Sequence, residues 1–217
     1  MRLNLETLFE AAVSFVEEES MYNEPELIGI TDGKAVGTYV EHLFEEYLNE
    51  TFPDIEIGNS AKGIDLPDER ITCDIKVTSI RQPQSSCPYK DTRQKIYGLG
   101  YNLLLFVYEK KDTADTRYLD FHHVALIEKE RTADYTLTKM INGMLDAGAS
   151  IEDMIGLFMD KSLPGDDITL TTLAEEVINS RPDQGYLTIS NALQWRLKYG
   201  RVITLDNNVE GVLNYDR

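Results

Sequence analysis

Apolar and polar positions along the chain follow two periods, and these periods predict its elements. Apolar residues recur every three or four positions in Leu5–Glu19 and again from Asp32 or Gly33 to about residue 51, which is typical of amphipathic helices. Helical spacing returns at 91–98, 134–147, 151–161 and 170–180. Shorter runs predict strands at 54–58, 71–78, 102–108 and 118–127. Because 102–108 is almost wholly apolar, we expect it in the middle of a sheet covered on both faces.

This order of elements predicts an α/β fold with a mixed central sheet of about five strands, helices on both faces and a helical C-terminal portion. We expect one domain, with an α/β core over 1–130 and a mainly helical portion over 131–217. Near its end, Ser190 or Asn191 is expected to begin a short polar and basic helix that carries Gln194, Arg196 and Lys198.

The stretch at 71–78 alternates strictly, and this alternation brings candidate chemistry together. In a strand, Cys73, Ile75 and Val77 share one face, whereas Asp74 and Lys76 share the other. Asp65 stands just ahead of a turn at 66–68, so a hairpin can bring it opposite Asp74. The sequence therefore predicts two carboxylates and one ammonium at a single spot.

Such a cluster suits phosphate-ester hydrolysis. Mg²⁺ is commonly held by one or two carboxylates, with water and phosphate oxygens completing its shell. A neighbouring ammonium can orient the attacking water and offset charge on the phosphate. The alternative is an ordinary solvated strand face that carries an Asp and a Lys two positions apart.

Asp65, followed after a short hairpin by Asp74-Ile75-Lys76, resembles the motif of the PD-(D/E)xK nucleases. The resemblance extends over about the first half of the chain, and it implies the fold of type II restriction endonucleases. One departure is that Ile64 precedes Asp65, while the literal Pro-Asp pair is Pro67-Asp68. Asp68 is therefore a rival first ligand, although it lies too near Asp74 in sequence to pair with it across a hairpin.

Glu41 completes the metal site that this resemblance implies, because the family often supplies a glutamate from an early helix. By helical spacing Glu41 falls at the edge of the buried stripe, while Glu45 is expected to point away. Asp65, Asp74 and Glu41 would then hold Mg²⁺, and Lys76 would orient the water. A solvated Glu41 on the flank of the helix is the alternative. The resemblance also implies a homodimer on duplex DNA and a partner DNA methyltransferase encoded elsewhere.

Overall charge opposes nucleic-acid binding, whereas two local segments favour it. The chain of 217 residues has 38 acidic and 21 basic residues, for a formal charge of −17. Between 76 and 111, however, seven basic residues face two acidic ones, and between 181 and 201 four face one. An acidic body with basic segments suits a protein that grips DNA locally. A plain solvated loop and helix would have the same composition.

The polar loop after 71–78 is the first candidate for DNA contact. Arg and Gln match guanine and adenine edges in the major groove, and Ser and Lys commonly meet phosphates. The expected contacts in this loop are Arg81, Gln82, Gln84, Ser85, Ser86, Tyr89, Lys90 and Arg93. The late helix adds Asn191, Gln194 and Arg196.

Cys73 and Cys87 form neither a disulfide framework nor a zinc spacing, and no run is apolar enough for a membrane span, so a cytoplasmic protein is expected. The function predicted is Mg²⁺-dependent, site-specific hydrolysis of double-stranded DNA by a type II restriction endonuclease. A structure-specific DNA repair nuclease with the same site is one alternative. A non-catalytic DNA-binding domain is the other.

Overall fold

The computed structural model describes residues 2–20, 22–58, 63–113, 116–190, 196–206 and 209–217. The chain forms two compact units. Unit 1 comprises Met1–Ser85, Tyr101–Glu128 and Val202–Arg217, and unit 2 comprises Ser86–Gly100 and Lys129–Arg201. Each unit therefore draws on more than one stretch of sequence.

The helices of the described residues are α1 (Leu5–Glu19), α2 (Gly33–Thr51), α3 (Thr92–Tyr97), α4 (Tyr135–Asp146), α5 (Ile151–Asp160), α6 (Asp167–Asn179) and α7 (Gly200–Ile203), with 3-10 turns at Pro25–Leu27 and Lys129–Arg131. The strands are β1 (Cys73–Ser79), β2 (Gln84–Ser86), β3 (Asn102–Asp112), β4 (Arg117–Ile127), β5 (Thr188–Ile189), β6 (Arg196–Lys198) and β7 (Val212–Asp216). In the part of the chain that the structure describes, no helix is both long and apolar enough to cross a bilayer.

Both long helices of unit 1 begin at side-chain caps. Asn4 accepts a hydrogen bond from the Thr7 backbone N–H, and the Thr7 hydroxyl accepts one from Asn4 in return. The Asp32 carboxylate accepts hydrogen bonds from the first turn of α2. These caps satisfy N–H groups that have no partner within the helix. The predicted bounds of both helices are confirmed.

The sheet of unit 1 has the order β1-β3-β4-β7, in which β1 runs parallel to β3 and the other pairs are antiparallel. The residues from Asn102 to Tyr108 in β3 are all buried, so the prediction of a mid-sheet strand is confirmed. Over the described residues this mixed sheet has four strands rather than the expected five. Because β1 lies at an edge, its outer side is open to the preceding hairpin.

Two differences separate the predicted strands of unit 1 from the observed ones. Residues 54–58 form no strand, because the N–H groups of Glu56 and Gly58 donate to the Asp68 carboxylate and the Asp65 carbonyl instead of to a strand. In the opposite direction, β7 was not predicted; it forms by pairing with the buried strand β4, and its Leu213 and Tyr215 pack against the core.

The core of unit 1 lies where α1 and α2 pack on one side of the sheet. Phe15, Phe44, Phe106 and Phe121 interlock there, with neighbouring ring centroids 5.0 to 6.2 Å apart. Cys73 and Ile75 of β1 belong to the same cluster, and Val77 packs against it. The predicted facing of 71–78 is therefore confirmed.

Unit 2 has a separate apolar core, built mainly from α3 to α6 and including Ile96, Phe158 and Leu170. Its strands β5 and β6 pair antiparallel. The late basic helix predicted from about residue 190 is wrong where it can be compared, because Arg196 and Lys198 lie in β6. Leu197 between them is fully buried, so a period of two decides the structure there.

Candidate active site

The acidic hairpin is closed by Leu66 and Cys73, which exchange two backbone hydrogen bonds of 2.9 and 2.8 Å. Asp65 and Asp74 flank this pair, one before Leu66 and the other after Cys73. The Asp65 Oδ2 atom accepts a hydrogen bond of 2.8 Å from the Ile75 backbone N–H. This bond holds the Asp65 side chain beside β1, and the backbone pairing of Leu66 with Cys73 sets the two acids opposite each other.

The Asp65 carboxyl group lies close enough to that of Asp74 to affect its ionisation. Burial of Asp74, which is 5% exposed, and the nearby Asp65 carboxyl group raise the pKa of Asp74 to about 7, although Lys76 opposes this. The cause is that two neighbouring carboxylates, with little water around them, cannot both ionise cheaply. Asp74 therefore keeps its proton up to about pH 7, and a cation bound at the two carboxyl groups would replace that proton.

Lys76 lies against the same pair. Its Nζ atom is 2.5 Å from the Asp74 Oδ2 atom and donates a hydrogen bond of 2.9 Å to the Ile75 carbonyl. The Lys76 side chain is 21% exposed, so solvent reaches it. The predicted cluster of two carboxylates and one ammonium is thus present in space, and the ammonium of Lys76 lies on its solvent side.

Two glutamates of α2 complete the acidic surroundings. Burial and the charge of Asp65 raise the pKa of Glu41, while Lys76 lowers it. Burial and Asp65 also raise the pKa of Glu45, against the effect of His42. The expectation that Glu45 points away from the buried stripe of α2 is wrong, because Glu45 is half-buried and lies one turn after Glu41 on the same side of the helix. That spacing of four was the signal available in the sequence.

Among the described residues, no three His, Cys, Asp or Glu side chains come close enough to form a metal-binding group on their own. Asp65 and Asp74 are therefore the candidate oxygen donors at this site. This donor set is hard and acidic, and it leaves coordination positions for water or substrate.

Asp68, the rival first ligand, is engaged elsewhere. Both of its carboxylate oxygens accept hydrogen bonds from the Arg70 side chain, at 2.9 and 2.6 Å. These bonds hold the pKa of Asp68 well below its usual range. Asp68 is 7% exposed and takes no part in the contact between Asp65 and Asp74. The geometry favours Asp65 as the partner of Asp74.

The residues predicted to contact DNA differ in their exposure to solvent. Arg81, Gln82, Ser86 and Lys90 are exposed, whereas the half-buried ones are Gln84, Ser85 and Arg196. Arg81 lies 3.6 Å from Glu109, with its side chain 79% exposed. Asn191 and Gln194 lie outside the described residues.

Tyr89 and Arg93 are less suited to DNA contact than the sequence indicated. Tyr89 is 8% exposed, and its hydroxyl donates to the Thr132 carbonyl. The Arg93 guanidinium donates to both carboxylate oxygens of Glu176 and lies over the Tyr97 ring. Polarity in the sequence did not reveal these tertiary partners, which belong to unit 2.

Comparison with known proteins gives the class. A family described as "Type II restriction enzyme NspV" matches residues 2–214, so the chain belongs to this family of type II restriction enzymes. Over 217 residues the chain is 48% identical to the Type II restriction enzyme NspV of Nostoc sp. (strain ATCC 29411 / PCC 7524), covering 99% of this chain and 97% of that protein. The predicted class, a type II site-specific deoxyribonuclease, is thereby confirmed.

Among solved structures, the chain is similar to the tetrameric restriction endonuclease SfiI bound to cognate DNA. The match covers 98% of this chain and 81% of that chain, with a TM-score of 0.47 and 11% sequence identity.

Proposed function

We propose that this restriction enzyme hydrolyses both strands of a specific duplex site in a Mg²⁺-dependent reaction of the PD-(D/E)xK type. The site residues are Asp65, Asp74, Lys76 and Glu41. The observation that carries the proposal is the hairpin geometry that sets Asp65 opposite Asp74: Leu66 pairs with Cys73, the Asp65 Oδ2 atom lies 2.8 Å from the Ile75 backbone nitrogen, and the Lys76 Nζ atom lies 2.5 Å from Asp74. Membership of a restriction-enzyme family supports a nuclease site over a solvated strand face as the role of this acidic cluster.

The residues present fit a divalent magnesium ion. The pKa of Asp74 is raised to about 7 because two carboxylates are crowded at a buried spot. A divalent cation relieves that repulsion, and two carboxylates are a usual protein contribution to a Mg²⁺ site. Asp65 and Asp74 would hold the ion, and Glu41 would reach it directly or through water. When bound, Mg²⁺ lowers the pKa of water and neutralises charge on the phosphate.

The remaining work falls to the chain's own groups. Lys76 donates hydrogen bonds but cannot accept them while charged, so it can hold the lone pair of a water or an anionic phosphate oxygen. Its contacts with Asp74 and the Ile75 carbonyl fix where the ammonium stands. In the reaction a water oxygen forms a bond to phosphorus and one ester oxygen leaves. Lys76 stabilises the charge that develops during this exchange.

The test compares Asp74→Asn and Lys76→Ala with Asp112→Asn on supercoiled plasmid. Asp112 is a matched control, because it too stands on a strand two residues from a lysine, with the Lys110 Nζ atom at 3.2 Å. We expect the two site variants to lose at least about 100-fold in cleavage rate while retaining DNA binding. The control should cut normally, and EDTA should stop every protein. Normal cutting by either site variant would contradict the proposal.

The substrate is proposed to be double-stranded DNA, read in part by the exposed residues Arg81, Gln82, Ser86 and Lys90 and the half-buried residues Gln84, Ser85 and Arg196. Arg81 is the best placed for base contact, since its side chain is largely exposed and its ion pair with Glu109 is long. Arg81→Ala should weaken binding to cognate DNA more than to random DNA. Equal weakening on both would assign Arg81 to the phosphate backbone.

We also propose a homodimer, because a two-fold protein matches a palindromic site. A cytoplasmic location and a partner methyltransferase follow from the same function, since an unprotected genome would be cut. Sedimentation of the protein at micromolar concentration tests the dimer. A protein that stays monomeric both alone and on cognate DNA would contradict it.

A further inference from the structure

Asp54, Asp68 and Arg70 form an ion-paired cluster beside the acidic hairpin, here named the Arg70 clamp. The Arg70 Nε and Nη2 atoms donate to the two Asp68 oxygens at 2.9 and 2.6 Å. The same guanidinium reaches Asp54, with its Nη1 atom 2.8 Å from Oδ2 and its Nη2 atom 3.1 Å from the carbonyl oxygen. One side chain thus ties residue 54 to the hairpin that carries Asp65.

The backbone extends this tie up to Asp65. The Glu56 N–H donates to the Asp68 carboxylate at 3.2 Å, and the Gly58 N–H donates to the Asp65 carbonyl at 2.7 Å. A Cβ atom on Gly58 would come within 2.3 Å of the Ile64 carbonyl oxygen. Residues 54–58 therefore pack closely along the hairpin. The Arg70 clamp holds the start of this segment, at Asp54, against the hairpin.

Asp68 also shapes the return of the hairpin into β1. Its carbonyl accepts hydrogen bonds from the Ile71 and Thr72 backbone N–H groups, at 3.0 and 2.7 Å. Thr72 has a φ of +29°, a conformation that a β-branched residue avoids unless its surroundings enforce it. Since Cys73 and Asp74 follow directly, a displaced Asp68 would shift both acids of the site.

We propose that Arg70 is a positioning residue of the nuclease site: through Asp68 and residues 54–58 it fixes the hairpin, and so holds Asp65 at the distance from Asp74 that a divalent cation requires. The inference rests on the proposed function. It assigns the Pro67-Asp68 pair a role as support in place of ligation. Metal sites depend on such support, because ligands must be held within a fraction of an ångström of the productive geometry.

The experiment measures metal binding separately from activity. Arg70→Met is compared with Arg217→Met, a matched control in the same unit, whose guanidinium lies 2.8 Å from Asp120 and whose side chain is 33% exposed against 34% for Arg70. Mn²⁺, whose ligand preferences resemble those of Mg²⁺, is titrated and followed by electron paramagnetic resonance. Arg70→Met should bind Mn²⁺ about tenfold more weakly. Arg217→Met should match the wild type, and Arg70→Lys should be intermediate.

A purely structural role would leave a different signature. In that case the folded fraction and the melting temperature would fall, while the Mn²⁺ affinity and the Mg²⁺ midpoint of single-turnover cleavage would stay unchanged, and that result would overturn the inference. Should Arg70→Met not fold, Asp54→Asn removes only the exposed half of the clamp and should shift the Mn²⁺ affinity less, in the same direction; no shift would overturn the inference.

Failure of the proposed function is distinguishable from failure of the clamp. A wild-type protein that binds no Mn²⁺ and cuts no DNA contradicts the proposed function itself. An active wild type beside an Arg70→Met variant with normal Mn²⁺ affinity contradicts only the positioning role.

Discussion

Removing one negative charge from the acidic pair should stabilise the metal-free protein while destroying its activity. The perturbation is Asp74→Asn, which keeps the size of the side chain and offers an amide N–H to Asp65 in place of the carboxyl proton. The pKa of Asp74 is about 7 against an ordinary 3.8, because burial and Asp65 disfavour its charge. A difference of this size corresponds to at most about 4 kcal/mol at alkaline pH.

The sign follows from proton linkage. Folded protein retains the Asp74 proton up to about pH 7, whereas unfolded chain releases it near 3.8, so this group makes the folded state less stable as pH rises through that window. Asp74→Asn does not titrate. Allowing for imperfect replacement of the hydrogen bond, we expect it to be more stable by about 1–3 kcal/mol at pH 8. The advantage should shrink by more than half at pH 5.

The assay is urea unfolding in EDTA at pH 8 and pH 5, with Asp112→Asn as the control. Asp112 is exposed and ion-paired with Lys110, so its neutralisation should change stability little at either pH. An Asp74→Asn protein that is less stable than the wild type at pH 8 would refute the reasoning. An advantage of the same size at both pH values would refute it as well.

Three further predictions concern the support of the site. Gly58→Ala should destabilise the protein by about 1–3 kcal/mol in thermal unfolding and raise the Mg²⁺ midpoint of cleavage, because its Cβ atom would press on the Ile64 carbonyl; unchanged values of both would contradict this. Phe106→Ala should cost about 3–5 kcal/mol in urea unfolding, since the ring is fully buried; a loss below 1 kcal/mol would contradict the packing. Asp68→Asn should lower the free energy of unfolding in urea at pH 7, and the deficit should shrink as the pH falls below about 4, because Arg70 depresses the pKa of Asp68 and the unfolded chain takes up the proton first; a deficit that is the same at every pH would contradict this.

Strand β1 and its acids could be predicted because local rules and tertiary packing agree there. Strict alternation placed Cys73 and Ile75 in the core, and Asp74 and Lys76 therefore had to share the other face. Cap residues at Asn4 and Asp32 likewise fixed where α1 and α2 begin. At such positions a few neighbouring residues are enough to determine the local structure.

Elsewhere the local structure depends on hydrogen-bond partners that are distant in sequence. Residues 54–58 have the composition of a strand, yet Asp68 and Asp65 take their backbone N–H groups. The short strand β7 forms by pairing with β4, which lies far from it in sequence. Tyr89 and Arg93 have the sequence context of surface residues. In the fold, Tyr89 donates a hydrogen bond to the Thr132 carbonyl, and Arg93 donates to the Glu176 carboxylate. None of these pairings has a local signal.

The central claim is that Asp65, and not Asp68, meets Asp74 to form the metal-binding pair of the enzyme. Its most direct test is single-turnover cleavage of plasmid by Asp65→Asn and Asp68→Asn, over a full range of Mg²⁺ concentrations and at a temperature where both are folded. We predict that Asp65→Asn stays inactive at every Mg²⁺ concentration, while Asp68→Asn recovers normal cleavage at high Mg²⁺. Cleavage by Asp65→Asn together with an inactive Asp68→Asn would contradict the account.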